Sequence, residues 1–498
     1  APCHGPRPAA RHRYATATWQ ATHDLLLVSK LLGHASVETT QVYVAMPDER
    51  LRAGMAAVLL CWLPHLAVSY PASMNSDTQS QFDQILGLLP WSKHHPTLLA
   101  FFLLGTTRLG HALGSGNAGL FAYVLVQAVF AAAVIGYSQW IMRRLCAPVW
   151  LRALSLALCA FAPVYCDNIT VILKDVPYSY AMLLMLCEMV RQRFLEKESD
   201  GFSAGFVLRM TLSAFLMLRM RPNGAMVWIP ICAALFLGTR GRKRRTAIAA
   251  AAALPLLLGA GFDAAFDARF HPQAASLGEA LSLPFQQTAR CLLAYPDDVT
   301  ESEMRAVSAV LDVENGVPNY DPRLADPVKD TSSPDLSGRL GPYMKAWLSM
   351  GMRHPGVYLD AWLNMIYGYF YPSDSNTIVC LTLNSPDAGG VALRQSPALS
   401  DARLEPHHRL YFTLRRIPGV GWLFYVDSVV WVFLLLLAVL ILRDGLRAAV
   451  PYMFFFGTLG ICLLSPKSGE IRYLMPILYI LPVMLGAALL PPRKEEKP

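Results

Sequence analysis

Charge is scarce in this chain. Asp, Glu, Lys and Arg make up 16% of its 498 residues, where soluble domains carry roughly 25%. A chain of this length in water would divide into several domains, each with a charged surface; here the charge to coat them is missing. Also missing is any CxxC pair among the ten cysteines, which removes the spacing signature of zinc ribbons and dithiol redox sites. Cys61, Cys159, Cys166, Cys187, Cys232 and Cys462 instead sit in or beside apolar runs, as small buried hydrophobes do. There is no internal repeat, and the alanine-rich 247–253 is the one low-complexity tract. The opening APCHGPRPAARHRY is basic and polar, so no cleavable signal peptide is expected there.

What fills the chain is apolar. Hydrophobic residues reach 54% and the mean hydropathy is +0.35. Runs near the length that spans a bilayer fall at 53–70, 118–141, 150–166, 177–190, 204–219, 224–238, 246–262, 421–442, 447–465 and 471–490. The expected fold is therefore an all-α integral membrane protein of about ten transmembrane helices. The shorter runs must thin the bilayer or lean on partners. Residues 97–114, interrupted by Arg108, His111 and glycines, read as an interfacial or re-entrant helix. The net charge of +8 is explained by topology. Basic residues gather at alternate loops, above all in the RGRKRR run at 240–245 and the tail Arg493, Lys494 and Lys497. The positive-inside rule then places both termini in the cytoplasm. It also exports the long polar segment 263–420 as a mainly helical extracytoplasmic domain. The expected organisation is 1–52, a distinct amino-terminal segment; 53–262, transmembrane helices with a first outer loop at 71–97; 263–420, the exported domain; 421–490, the last spans; and 491–498, a cytoplasmic tail.

Residues 11–52 have a different character. Arg11-His12, LLGH ending at His34, and TTQVY ending at Tyr43 resemble the carboxy-terminal end of a tyrosine recombinase (phage integrase) catalytic domain. The resemblance implies a short helical segment. It also implies a tyrosine that attacks the scissile phosphate, with Arg11 and His34 holding the phosphate oxygens. Pro8 stands where that family has a histidine. The expectation is a remnant, with DNA as partner only if the remnant functions.

Polar chemistry gathers on the outer face of the expected topology. The first outer loop supplies Asp77, Gln81, Asp83, Lys93, His94 and His95; the CDNITVILKD loop supplies Asp167, Lys174 and Asp175; RMRPNG supplies Arg221; and SPKSGEIRY supplies Lys467, Glu470, Arg472 and Tyr473. Ionisable groups beside membrane spans are costly and are retained where they work. The order of these pieces resembles the GT-C superfamily of glycosyltransferases over roughly 55–490: an early aspartate in SDTQSQ, then HHP, KD, RPNG and a late RY-x-x-P. The resemblance implies transfer of a sugar from a polyprenyl-phosphate donor in the membrane to an extracytoplasmic acceptor. Asp77 would be the base on the acceptor hydroxyl, and Asp175 a second carboxylate. Lys174, Arg221 and Arg472 would face the lipid phosphate, with Gln81, His94, His95 and Tyr473 around them. The first outer loop has no acidic pair of the DxD kind, so a divalent cation stays open as a cofactor. A transporter or flippase of an envelope component is the other reading of a polytopic chain.

Overall fold

In the computed structural model, the described residues are 47–192, 204–239, 241–371, 421–446 and 452–489, apart from positions 75, 276, 334 and 337, together with 18, 25–32, 387–388, 391–392, 409 and 413–419. The chain is overwhelmingly helical. A helix lies on each of the ten expected apolar runs: Pro47–Val68, Gly116–Arg144, Val149–Phe161, Asp175–Val190, Ala204–Met220, Gly224–Gly238, Arg242–Phe270, Val426–Asp444, Phe454–Leu463 and Ile471–Ala488. Four of them, Gly116–Arg144, Arg242–Phe270, Val426–Asp444 and Ile471–Ala488, are long and apolar enough to cross a membrane. A fifth span is formed if Val149–Phe161 is counted with Val164–Thr170, which continues it after a 57° bend. This is the architecture of an all-helical membrane protein.

Apolar patterning decides each helix's position. Asp175–Val190 is apolar around its whole circumference, and every residue but Leu184 is buried. A helix of that kind belongs at the centre of a bundle. It packs against Gly116–Arg144, Ala204–Met220 and Ile471–Ala488. Arg242–Phe270 is the opposite case. Leu254, Leu256, Leu257 and Leu258 stand exposed on it, as side chains facing lipid would. It runs unbroken past position 262 and ends at His271, whose φ of 46° is left-handed.

Small residues let backbones touch where Thr97–Ala112 crosses Gly116–Arg144. A Cβ added to Gly119 would lie 2.6 Å from the Thr106 carbonyl oxygen, and one on Gly110 2.6 Å from the Gly119 Cα. Only glycine fits that crossing.

A second core lies within 281–358. Phe285, Val307, Val310, Tyr343 and Met350 fill it, between the helices Ser282–Ala294, Glu301–Ser308 and Leu340–Arg353. This polar domain grips the loop before the last bundle helix. The Ala325 amide donates to the Pro466 carbonyl at 2.7 Å, the Ser468 amide to Arg323 at 2.9 Å, and the Trp362 indole to Leu463 at 2.9 Å. That loop carries Lys467 and Glu470 toward the site.

Candidate functional site

Two distant segments are stapled together first. Ser73 pairs with Val171 and Met74 with Ile172 in a two-residue parallel ladder. The Thr78 hydroxyl adds a 2.6 Å bond to the Ile172 carbonyl, and Gln127 donates to the carbonyls of Ile169 and Val171 at 2.9 Å each. Leaving the ladder, one strand reaches Asp77 in the first turn of the helix Ser76–Ile85. The other reaches Lys174 and then Asp175, in the first turn of the central helix. Both carboxylates sit where the helix dipole favours negative charge.

The ladder brings Asp77 and Lys174 into a 2.8 Å ion pair. Arg472 approaches the same Asp77 oxygen at 3.8 Å and reaches Glu470 at 3.4 Å, while Lys467 pairs with Glu470 at 2.7 Å. This tier touches solvent: the Asp77, Lys174 and Arg472 side chains are 31%, 20% and 26% exposed. Beneath it lies a dry tier. Arg221 is paired with Asp175, whose side chain is 0% exposed. The guanidinium rests 4.6 Å from the Tyr473 ring centroid and 5.7 Å from that of Tyr178. The second Asp175 oxygen, Oδ2, is buried without a hydrogen-bond donor.

Across both tiers the charged groups are Lys174, Arg221, Lys467 and Arg472 against Asp77, Asp175 and Glu470, an excess of one positive charge. Partial burial would raise the Asp77 pKa, but Lys174 and then Arg472 overcome it and hold the carboxyl at about 2. Burial raises Glu470 too, and Arg472 and Lys467 bring it below the usual carboxylate range. Burial and the nearby Lys174 push His95 down to about 4, so its imidazole is neutral at physiological pH. Its Nδ1 is buried without a partner.

The structure thus brings Asp77, Asp175, Lys174, Arg221, Arg472 and Tyr473 together, with His95 at the edge. It sends two expected residues elsewhere. Gln81 is buried and donates to the Pro96 carbonyl at 2.8 Å, so it fixes the HHP turn. His94 points outward, 3.9 Å from Glu279 and edge-on to His95. Tyr178 was not anticipated; its place one turn after Asp175 in DVPYS was the available signal. Two surface hollows, of about 330 and 420 Å³, are bordered by Phe236, Arg242 and Arg245 and by Val310, Asp312 and Arg339. None of the expected site residues lines either one. Arg11, His34 and Tyr43 lie outside the described residues.

A family model matches residues 90–497, and its description is a family of unknown function, DUF6020. This chain belongs to DUF6020. The match takes in Lys174, Asp175, Arg221, Arg472 and Tyr473 and begins after Asp77. The chain is also similar to the tyrosine recombinase XerH of Helicobacter pylori, with 46% identity over 41 residues, 8% of this chain and 11% of the recombinase. That similarity supports the recombinase-like remnant read from the sequence. No solved structure matches the chain.

Proposed function

We propose that this DUF6020 member is a membrane glycosyltransferase of the GT-C type, moving a sugar from a polyprenyl-phosphate donor to an acceptor outside the cytoplasm. In this reading the ten helices are ten spans, both termini are cytoplasmic, and the polar domain is exported. The observation that carries it is the stacked pair of tiers. A half-exposed aspartate shares its oxygen with two cations, above a buried Asp–Arg pair, with positive charge in excess. That arrangement suits an anionic phosphate next to a carboxylate.

The reaction would be a displacement at the sugar's anomeric carbon. The acceptor hydroxyl oxygen forms the new bond as the carbon–oxygen bond to the phosphate breaks. The hydroxyl proton passes to Asp77, and the polyprenyl phosphate leaves with the electron pair, held by Lys174 and Arg472. A carboxylate at about 2 is a weak base while its cations sit on it. A phosphate that draws Lys174 and Arg472 away removes the groups that depress Asp77, so donor binding itself would raise its basicity. Arg221, fixed by Asp175, supplies charge from below. The site's cations can neutralise the phosphate themselves, and a divalent cation remains an open cofactor.

The test is release of free polyprenyl phosphate by the full chain in proteoliposomes, supplied with lipid-linked sugars and an envelope extract as acceptor. Asp77→Asn should insert and fold yet lose transfer by about 10²–10⁴-fold, the usual contribution of a general base. Turnover retained in that variant would count against the assignment. A second reading attaches to residues 11–52 alone, favoured by the recombinase similarity: DNA strand transfer through Tyr43. It requires a covalent adduct on a nicked DNA substrate that disappears in Tyr43→Phe.

A further inference from the structure

The outer residues of the ladder's two segments converge once more, upstream of the pairing. His65, on the helix Pro47–Val68, and Cys166-Asp167, just past the bend after Val149–Phe161, come face to face. His65 Nδ1 lies 3.6 Å from an Asp167 carboxylate oxygen, and the Cys166 sulfur lies 3.9 Å from that same oxygen. One donor atom from each residue falls within 4.8 Å of the other two. The Cys166 side chain is fully buried, while His65 and Asp167 are 17% and 14% exposed. We propose that His65, Cys166 and Asp167 form a structural site for a zinc-class divalent cation, clasping the first bundle helix to the turn that delivers Lys174 and Asp175.

The donor set selects the ion. A thiol sulfur with an imidazole nitrogen and a carboxylate suits zinc, whereas calcium and magnesium take oxygen donors. The two separations to the Asp167 oxygen lie close to what zinc requires. Zinc bonds of about 2.0–2.3 Å to these donors imply tetrahedral edges of roughly 3.4–3.6 Å. The two measured separations exceed that by a few tenths of an ångström, which small side-chain rotations absorb. Binding would release the thiol proton. The thiolate and the carboxylate together then carry two negative charges, which a divalent cation cancels, so the loaded cluster is neutral where burial penalises charge. His65 and Asp167 are partly exposed, and with three protein donors the fourth tetrahedral position would fall to water.

The placement explains what the ion would do. From His65 the chain runs eight residues to Ser73, and from Cys166 five residues to Val171, where the two segments pair. A two-residue ladder is a weak clasp. A metal at the head of both segments would be a second one. No spacing rule could have revealed it, because His65 and Cys166 are 101 positions apart and the cysteine has no CxxC neighbour.

The experiment is elemental analysis of the full chain, purified in detergent with a tag free of histidine and cysteine and reconstituted with zinc. The expected result is about one zinc per chain. It should be lost in Cys166→Ser and in His65→Gln and kept in Cys61→Ser, a substitution on the same helix as His65. Cobalt in place of zinc should give sulfur-to-cobalt charge-transfer absorption, absent in Cys166→Ser. Substoichiometric zinc in the wild type, or a full equivalent retained by Cys166→Ser, overturns the proposal. Should Cys166→Ser fail to fold, the cobalt spectrum of the wild type decides: no sulfur charge-transfer means no site. Metal content is read without any assay of transfer, so this result stands or falls apart from the proposed reaction.

Discussion

The central helix Asp175–Val190 buries a carboxylate at each end, and the two ends differ. Glu188, 13 residues and about 20 Å from Asp175, is also fully buried and also held by arginine. It accepts from the Tyr137 hydroxyl at 2.5 Å and from Arg209 at 2.6 Å, with Arg191 at 3.7 Å. A buried ion pair by itself therefore says little about function, since one serves at each end and such pairs break even with apolar packing. What distinguishes the Asp175 end is the tier above it. Three chain segments, around Asp77, Lys174 and Arg472, contribute there, and the acid is partly exposed, whereas Glu188 is fully buried. Among the described residues, the Glu188 network is drawn from helices and holds no second carboxylate. One end is a buried ion-pair network; the other carries a partly exposed charged tier above such a pair.

The largest expected effect comes from breaking the dry tier. Asp175→Ala leaves Arg221 buried and uncompensated, which should cost about 3–5 kcal/mol in thermal unfolding and abolish transfer. The double variant Asp175→Leu/Arg221→Met should recover most of that stability, because an apolar pair of similar volume replaces the ions, while transfer stays absent. Recovery of both would make the Asp175 end no different from the other. Glu188→Gln sharpens the contrast from its own side. It should lower the unfolding temperature yet leave turnover near the wild-type level. Gly119→Ala is a packing control at a helix crossing whose neighbours are Thr106, Thr107 and Gly110. Its Cβ would press on the Thr106 carbonyl, for an overpacking cost of about 1–3 kcal/mol.

Much of this site is legible in the sequence. Asp77, Lys174, Asp175, Arg221 and Arg472 stand out because a charge next to an apolar run is costly enough to need a reason. The ladder Ser73–Met74 with Val171–Ile172 is not legible. Two residues carry no strand period, and the partners are 98 positions apart. Gln81 and His94 share the first loop with Asp77, and sequence alone cannot tell a side chain that joins the ion-pair cluster from one fixing a turn. Apolar runs mark the helix centres. They do not mark the far end of Arg242–Phe270, because hydropathy marks burial in lipid and this helix continues eight residues past 262.

Smaller effects separate the tiers by pH. His95 titrates at about 4 when folded and near 6.5 when unfolded. The unfolded chain therefore binds more protons between those values, and stability should fall as pH drops from 6.5 to 4. His95→Gln should flatten unfolding temperatures across that window. Asp77 is depressed to about 2 from 3.8, so its contribution is complete above pH 4 and disappears as pH falls through 2. Asp77→Asn should remove that acid slope, with a stability change at neutral pH below about 1 kcal/mol because the pair meets solvent.

The most direct measurement is retention of polyprenyl phosphate by the detergent-purified chain in native mass spectrometry, comparing wild type, Lys174→Met/Arg472→Met and Glu188→Gln. The wild type and Glu188→Gln should keep the lipid, and the double variant should lose it. Equal retention by all three would show that the cationic tier does not hold a lipid phosphate.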